Sequence, residues 1–165
     1  MTDCNNSQTS YEQNRETRVK AIINQHAGDG SALLKVLHAI QDLDAQNYLT
    51  EQELTWVAEG LAVPLSKVYG VATFYSMYSV KPRGRHIIRI CENAPCHVVG
   101  AGQVISALEN ELGISVGETT ADGRFTLELT SCLGVCGVAP AMMIDQVVHG
   151  NLTPEKLGNI LAEYE

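Results

Sequence analysis

Apolar residues in the first half of the chain recur at the spacing of one helical face. Leu33, Leu34, Leu37, Ile40 and Leu43 form such a stripe, and Asp29-Gly30-Ser31 ahead of them supplies a start. A second helix opens at Thr50, whose hydroxyl can cap free amides while Glu53 reaches back as in a capping box. Leu54, Val57, Ala58 and Leu61 are its buried stripe. Val63-Pro64 breaks it, and Ser66 begins a third helix bearing Val68, Tyr69, Ala72, Phe74 and Tyr75. From about Glu12 to Tyr78 every strong signal is helical. Phe74, Tyr75, Met77 and Tyr78 stand at helical spacing and are expected in the core, with a docking face as the alternative.

The pattern changes at Lys81-Pro82-Arg83-Gly84, where turn residues give way to a β-branched run. His86-Ile87-Ile88-Arg89-Ile90 reads as a buried strand that delivers Cys91 at its carboxyl end, and Val99 to Leu112 as a helix closed by Gly113. Phe125, Leu127 and Leu129 alternate with Thr126, Glu128 and Thr130, so a half-buried strand delivers Cys132 just past its end. Ala141 to Asp145 and Gln146 to His149 predict a hairpin, and Thr153-Pro154-Glu155 a final helix with Pro at its first position. This order predicts an α/β domain with a parallel crossover and an antiparallel pair. The domain boundaries implied are a disordered tail over 1–10, a three-helix region over 11–80 and the α/β domain over 81–165.

Composition narrows the function. A formal charge of -8, with only 11 Lys and Arg residues among 165, disfavours nucleic acid, which needs a dense basic stripe, and equally an acidic partner surface. No apolar run approaches the length of a membrane span, and Met1 to Arg18 lacks the basic start and apolar core of a signal peptide. A cytoplasmic protein without direct membrane insertion is expected, peripheral to a membrane only through a larger complex.

Five cysteines then carry the chemistry. Cys4 sits in the polar tail and is expected to be a free thiol. The others form two pairs, Cys91-x4-Cys96 and Cys132-x3-Cys136, each just beyond a strand. Parallel strand ends emerge on one side of a sheet, so the two loops can meet. Gly100, Gly134 and Gly137 allow close backbone approach there, and loop amides could donate to sulfur. A reducing compartment disfavours disulfides, and the absent Cys-x-x-Cys disfavours a thioredoxin-type dithiol. Thiolates suit iron-sulfur or zinc, and spacing leaves both open: an electron carrier, or a structural zinc-binding interaction module without redox role.

Whole motifs add to this. Val63-Pro64-Leu65-Ser66 with Val68 to Tyr75, Cys91-Glu92-Asn93-Ala94-Pro95-Cys96-His97, Gly117 to Phe125, Cys132-Leu133-Gly134-Val135-Cys136-Gly137-Val138-Ala139-Pro140 and Leu152-Thr153-Pro154-Glu155 occur in one order. From about Tyr11 onward the chain resembles the small thioredoxin-like 2Fe-2S subunit of the NADH-dehydrogenase module of respiratory complex I. The same subunit type occurs in NAD(P)-linked, including electron-bifurcating, hydrogenases and in formate dehydrogenases. The resemblance implies a thioredoxin-like 2Fe-2S ferredoxin domain preceded by the helical region, and one 2Fe-2S cluster held by Cys91, Cys96, Cys132 and Cys136. It also implies a flavin- and iron-sulfur-containing NAD(P)-binding partner, together with further hydrogenase, formate dehydrogenase or complex I subunits. The chain would be the electron-transfer subunit, with no substrate-converting site of its own.

Other polar residues read more simply. His97 could suggest a Rieske-like ligand but is better a loop residue beside four cysteines. His86 and His149 are structural strand residues, and Glu109, Glu111, Glu118 and Glu128 a solvated acidic face or a docking surface. Arg83, Arg85 and Arg89 are solvated surface residues by default, the alternative being that they pair with a cluster's negative charge and raise its potential. Neither Gly-Val-Ala-Thr-Phe nor Gly-Ala-Gly-Gln meets the phosphate-loop pattern.

Overall fold

The computed structural model describes residues 4–43 and 47–164, with side chains from Asn14 onward. It divides into two compact units that meet in sequence at Pro82 and Arg83.

The first unit is helical: α1 (Cys4–Asn24), α2 (Leu33–Gln41), α3 (Glu51–Gly60) and α4 (Leu65–Phe74). Their apolar stripes close on one core that includes Val19, Leu37, Ile40, Leu54, Val57 and Val68. The Asp29 carboxylate accepts from the Ser31 amide and starts the 3-10 turn that leads into α2. At α3 the capping box forms: Thr50 Oγ1 accepts from Glu53 N at 3.2 Å, and Glu53 Oε2 accepts from Thr50 N at 2.9 Å. Glu53 is buried, and its other oxygen accepts from Arg15 Nε at 2.7 Å, so one carboxylate caps α3 and ties α1 to it.

Two expectations change here. Among the described residues four helices replace three, because α1 contributes only Val19 and Ile23 to the buried set, too sparse a stripe to stand out in a polar segment. Its backbone begins at Cys4, within the segment whose composition predicts a disordered tail; extending a helix already nucleated costs little. The Cys4 side chain and residues 1–3 lie outside the described residues. The aromatic cluster after α4 is not core: Phe74 is 80% exposed, with Tyr75 and Met77 also exposed. The helix ends at Phe74 and Tyr75 turns extended, so helical spacing no longer maps these residues onto one face. Tyr78 alone is buried, its hydroxyl donating to Leu34 O at 2.7 Å.

The second unit is mixed α/β: β1 (His86–Cys91), α5 (Ala94–Val98), α6 (Ala101–Leu112), β2 (Phe125–Thr130), β3 (Met142–Ile144), β4 (Val147–His149) and α7 (Pro154–Leu161). The sheet order is β2-β1-β3-β4. β1 pairs parallel with β2 in the register His86 to Phe125 through Cys91 to Thr130, and antiparallel with β3. β3 and β4 form the expected hairpin. Ile88, Ile90, Leu127, Met142 and Ile144 line one sheet face and bury against Val104 and Leu108 of α6 and Leu157 and Leu161 of α7. The β3–β4 turn is anchored because Asp145, at φ 53, accepts from Ile87 N at 3.0 Å and pairs with His86 Nδ1 at 2.7 Å. His149 Nε2 meets the Tyr164 hydroxyl at 2.8 Å, so both strand histidines have structural partners.

Candidate metal centre

Parallel pairing places the carboxyl ends of β1 and β2 at one end of the sheet, and the four cysteines collect there. Cys91 is the last residue of β1. Asn93 then opens α5, a helix of one turn with Pro95 near its start, and Cys96 within it packs with Cys91 and Ala101. Both are buried, 2% and 3% exposed. Past β2, Gly134 adopts φ +78, a left-handed conformation that glycine enters without steric cost, and the loop folds back between Cys132 and Cys136. Both of these thiols are exposed.

The sulfur atoms fall into two pairs. Cys132 Sγ and Cys136 Sγ lie 3.7 Å apart. A disulfide would bring them to about 2.05 Å. Two thiolates on one tetrahedral metal, with bonds of about 2.3 Å, stand roughly 3.8 Å apart. Cys91 and Cys96 pack together in a small buried cluster with Ala101, and Cys136 is within electrostatic reach of both. Among the described residues no three Cys, His, Asp or Glu side chains converge as a single ion would require. A structural zinc ion takes four ligands around one point, whereas a two-iron centre takes two thiolates at each iron. The paired arrangement fits the latter.

Backbone amides supply the electrostatics. Burial raises the Cys91 pKa, but the amides of Asn93 and Leu133 and the Cys96 thiol outweigh it, so Cys91 is lowered overall. Burial raises Cys96, and its neighbour Cys91 adds to the effect. Cys136 is raised first by its hydrogen bond to Cys132 and then by that thiol's charge. The Gly134 amide donates to Cys132 Sγ at 3.3 Å. Both loops therefore aim the amide two residues past a cysteine back at its sulfur. Residue types do not announce these donors; the repeated offset after Cys91 and Cys132 is the signal that could have found them.

The remaining candidates separate cleanly. His97 is exposed on α5, its amide bonded to Asn93 O at 2.9 Å. Gly137 has open space where a side chain would stand, and one at Gly100 would meet only Gln103 Oε1 at 3.9 Å, so no protein backbone crowds either. The acidic face is not uniformly solvated. Glu128 is held by Arg83 at 2.8 Å and Arg89 at 3.5 Å, while Glu109 and Glu118 accept amide hydrogen bonds from Val116 and Ser115. Arg83 and Arg89 are correspondingly not surface residues, with side chains 9% and 21% exposed.

Two thiol pairs at one end of a mixed sheet, supported by loop amides, are the donor set an iron-sulfur electron carrier requires. Comparison with known proteins gives the family. Residues 19–165 match the model described as thioredoxin-like [2Fe-2S] ferredoxin, and the chain belongs to that family, whose cofactor is one 2Fe-2S cluster. It is 39% identical over 132 residues to the NADP-reducing hydrogenase subunit HndA of Solidesulfovibrio fructosivorans, covering 80% of this chain and 76% of that one. It is 40% identical over 151 residues to a subunit of the NADH-quinone oxidoreductase of Escherichia coli strain K12, covering 84% and 91%. Its fold is similar to a chain of an NAD+-reducing [NiFe]-hydrogenase in the air-oxidised state, with TM-score 0.69 and 24% identity over 85% of this chain; it spans 23% of that longer one. The motif resemblance and the thioredoxin-like fold class are both borne out. Among the described residues no helix is long and apolar enough to cross a membrane.

Proposed function

We propose that Cys91, Cys96, Cys132 and Cys136 ligate the 2Fe-2S cluster and that the chain carries single electrons beside a flavin-bearing, NAD(P)-linked subunit of a larger oxidoreductase. The observation that carries this reading is the asymmetry of the thiol pairs: Cys91 and Cys96 are buried, and Cys132 and Cys136 are exposed. The buried pair fixes the centre to the fold, and the exposed pair brings it to the surface, where a partner can approach within electron-transfer distance. The cluster supplies reversible one-electron storage, and the loop amides of Asn93, Leu133 and Gly134 stabilise negative charge on the sulfurs.

Relatives support the context. HndA belongs by name to an NADP-reducing hydrogenase and the Escherichia coli relative to an NADH-quinone oxidoreductase, so NAD(P) chemistry is common to both hosts. In such an assembly a flavin exchanges hydride with the nicotinamide and releases electrons singly, and this chain takes or returns one of them.

Anaerobic purification followed by iron and acid-labile sulfide assays and electron paramagnetic resonance of the dithionite-reduced protein tests the reading. Two irons and two sulfides per chain are expected. Serine at Cys91, Cys96, Cys132 or Cys136 lowers that content, and Cys4→Ser leaves it unchanged. The pure chain should oxidise no NAD(P)H with an artificial acceptor until a flavin subunit is added. A folded, colourless protein without labile sulfide overturns the proposal.

A further inference from the structure

The sheet face opposite α6 and α7 carries charge where a strand face next to a buried site is ordinarily apolar. Along β1, strand alternation turns Ile87, Arg89 and Cys91 to this face. The register sets Arg89 directly beside Glu128 of β2 and beside Met143 of β3, with Cys91 beside Thr130. Arg83, just ahead of β1, donates through Nε to Glu128 Oε1 at 2.8 Å, while Arg89 Nε stands 3.5 Å from Oε2. Glu128 is therefore engaged more closely by Arg83, and the Arg89 charge is the less fully offset of the two. The Glu128 side chain is 20% exposed, similar to the 21% of Arg89, so water screens the pair far less than a surface pair.

Residues two apart on a strand share a face at about 6.6 to 6.8 Å. Arg89 thus stands one side-chain position behind Cys91 in the central strand of the sheet. A partly buried guanidinium contributes little to stability by itself, because its desolvation offsets its pairing. Its position behind the cysteine gives it a different use. A four-thiolate 2Fe-2S centre is a dianion when oxidised and gains one further negative charge on reduction, so a fixed cation nearby favours the reduced state. The Glu92 carboxylate, which follows Cys91 and acts on its thiol in the opposite sense, is exposed to solvent.

We propose that Arg89 is a positioning charge that raises the one-electron potential of the cluster, and that Glu128, shared with Arg83, sets how much of that charge the cluster experiences. This rests on Cys91 being a cluster ligand. A charge about 10 Å from a redox centre, at an effective dielectric of about 20, changes the reduced-to-oxidised ratio by roughly 16-fold. For one electron this is about 70 mV.

The test is a reductive titration of the cluster-loaded protein, followed by electron paramagnetic resonance, for wild type and for Arg89→Gln, Arg89→Lys and Glu128→Gln. Iron and sulfide content are measured on every sample. Arg89→Gln is expected to lower the midpoint potential by about 70 mV, Glu128→Gln to raise it, and Arg89→Lys to stay near wild type. Opposite shifts with unchanged cluster content are the signature of charge, since a structural role would move both variants alike or lower occupancy in both. A fully loaded Arg89→Gln protein with wild-type potential overturns the proposal, as do shifts of one sign in Arg89→Gln and Glu128→Gln. If Arg89→Gln does not fold, the absence of a rise in Glu128→Gln is decisive. A wild-type chain without cluster would instead sink the ligand assignment, which the sulfide assay reads separately.

Discussion

Leu127→Ala tests whether the sheet core positions the cysteine loops. Leu127 lies at the middle of β2, fully buried, opposite Ile88 in the parallel register and within the cluster formed with α6 and α7. Its backbone is held by Gly117 N at 2.7 Å and by Glu118 O at 3.1 Å, so the strand has little freedom to collapse into the space left behind. Removing three carbons from a fully buried site forfeits about 2.4 kcal/mol of transfer free energy. A residual void of some tens of Å³ adds about 1 to 2 kcal/mol at roughly 24 cal/mol per Å³. A loss of about 3 to 4 kcal/mol follows, which for a unit of this size lowers Tm by more than about 12 °C. The assay is anaerobic urea unfolding of the loaded protein, followed by far-ultraviolet circular dichroism and by visible cluster absorbance. Because β2 ends beside Cys132, both signals should shift to lower urea together. Val148→Ala, on the exposed edge strand, should cost under about 1 kcal/mol. A Leu127→Ala loss below about 1 kcal/mol at unchanged m-value would refute the reasoning, as would cluster loss without any change in the backbone transition.

Three further outcomes are expected. Arg15→Ala strands the Glu53 carboxylate at 3% exposure with only its cap hydrogen bond to Thr50, and should cost about 3 to 5 kcal/mol in the helical unit by thermal or urea unfolding, partly restored by adding Glu53→Gln. In folded, reduced, cluster-free protein carrying Cys4→Ser, iodoacetamide should label Cys132 and Cys136 before the buried Cys91 and Cys96, as read by peptide mass mapping. Asp122 has its pKa lowered by the Thr120 hydroxyl and then by the Arg124 amide; a depressed folded value means its contribution is complete above the unfolded carboxylate pKa and is lost as pH falls through the folded one, so Asp122→Asn should flatten the acid side of the stability profile.

Local chemistry was legible where a residue's role is set by its near neighbours. The Thr50–Glu53 box and the proline-led α7 depend on contacts within a few positions, and periodicity placed both strands that lead to cysteines. Where a helix ends is less local: one residue of extended backbone at Tyr75 sends Phe74 to solvent although its spacing matches the core stripe. The four cysteines and their loops could be found from spacing and motif. Their division into a buried and an exposed pair depends on which loop the sheet covers.

The amino-acid order by itself determined the capped helices, the two strands that lead to cysteines and which residues can bind soft metal, because propensity, capping and thiol chemistry act over a turn or two of chain. Only the tertiary structure decided that Arg83, Glu128 and Arg89 share one partly buried face behind Cys91. That juxtaposition comes from the parallel register of β1 on β2, with Arg89 facing Glu128 across the ladder. A one-residue slip would turn the alternating side chains to the other face, and such a choice is made by the whole core rather than by any short stretch of sequence.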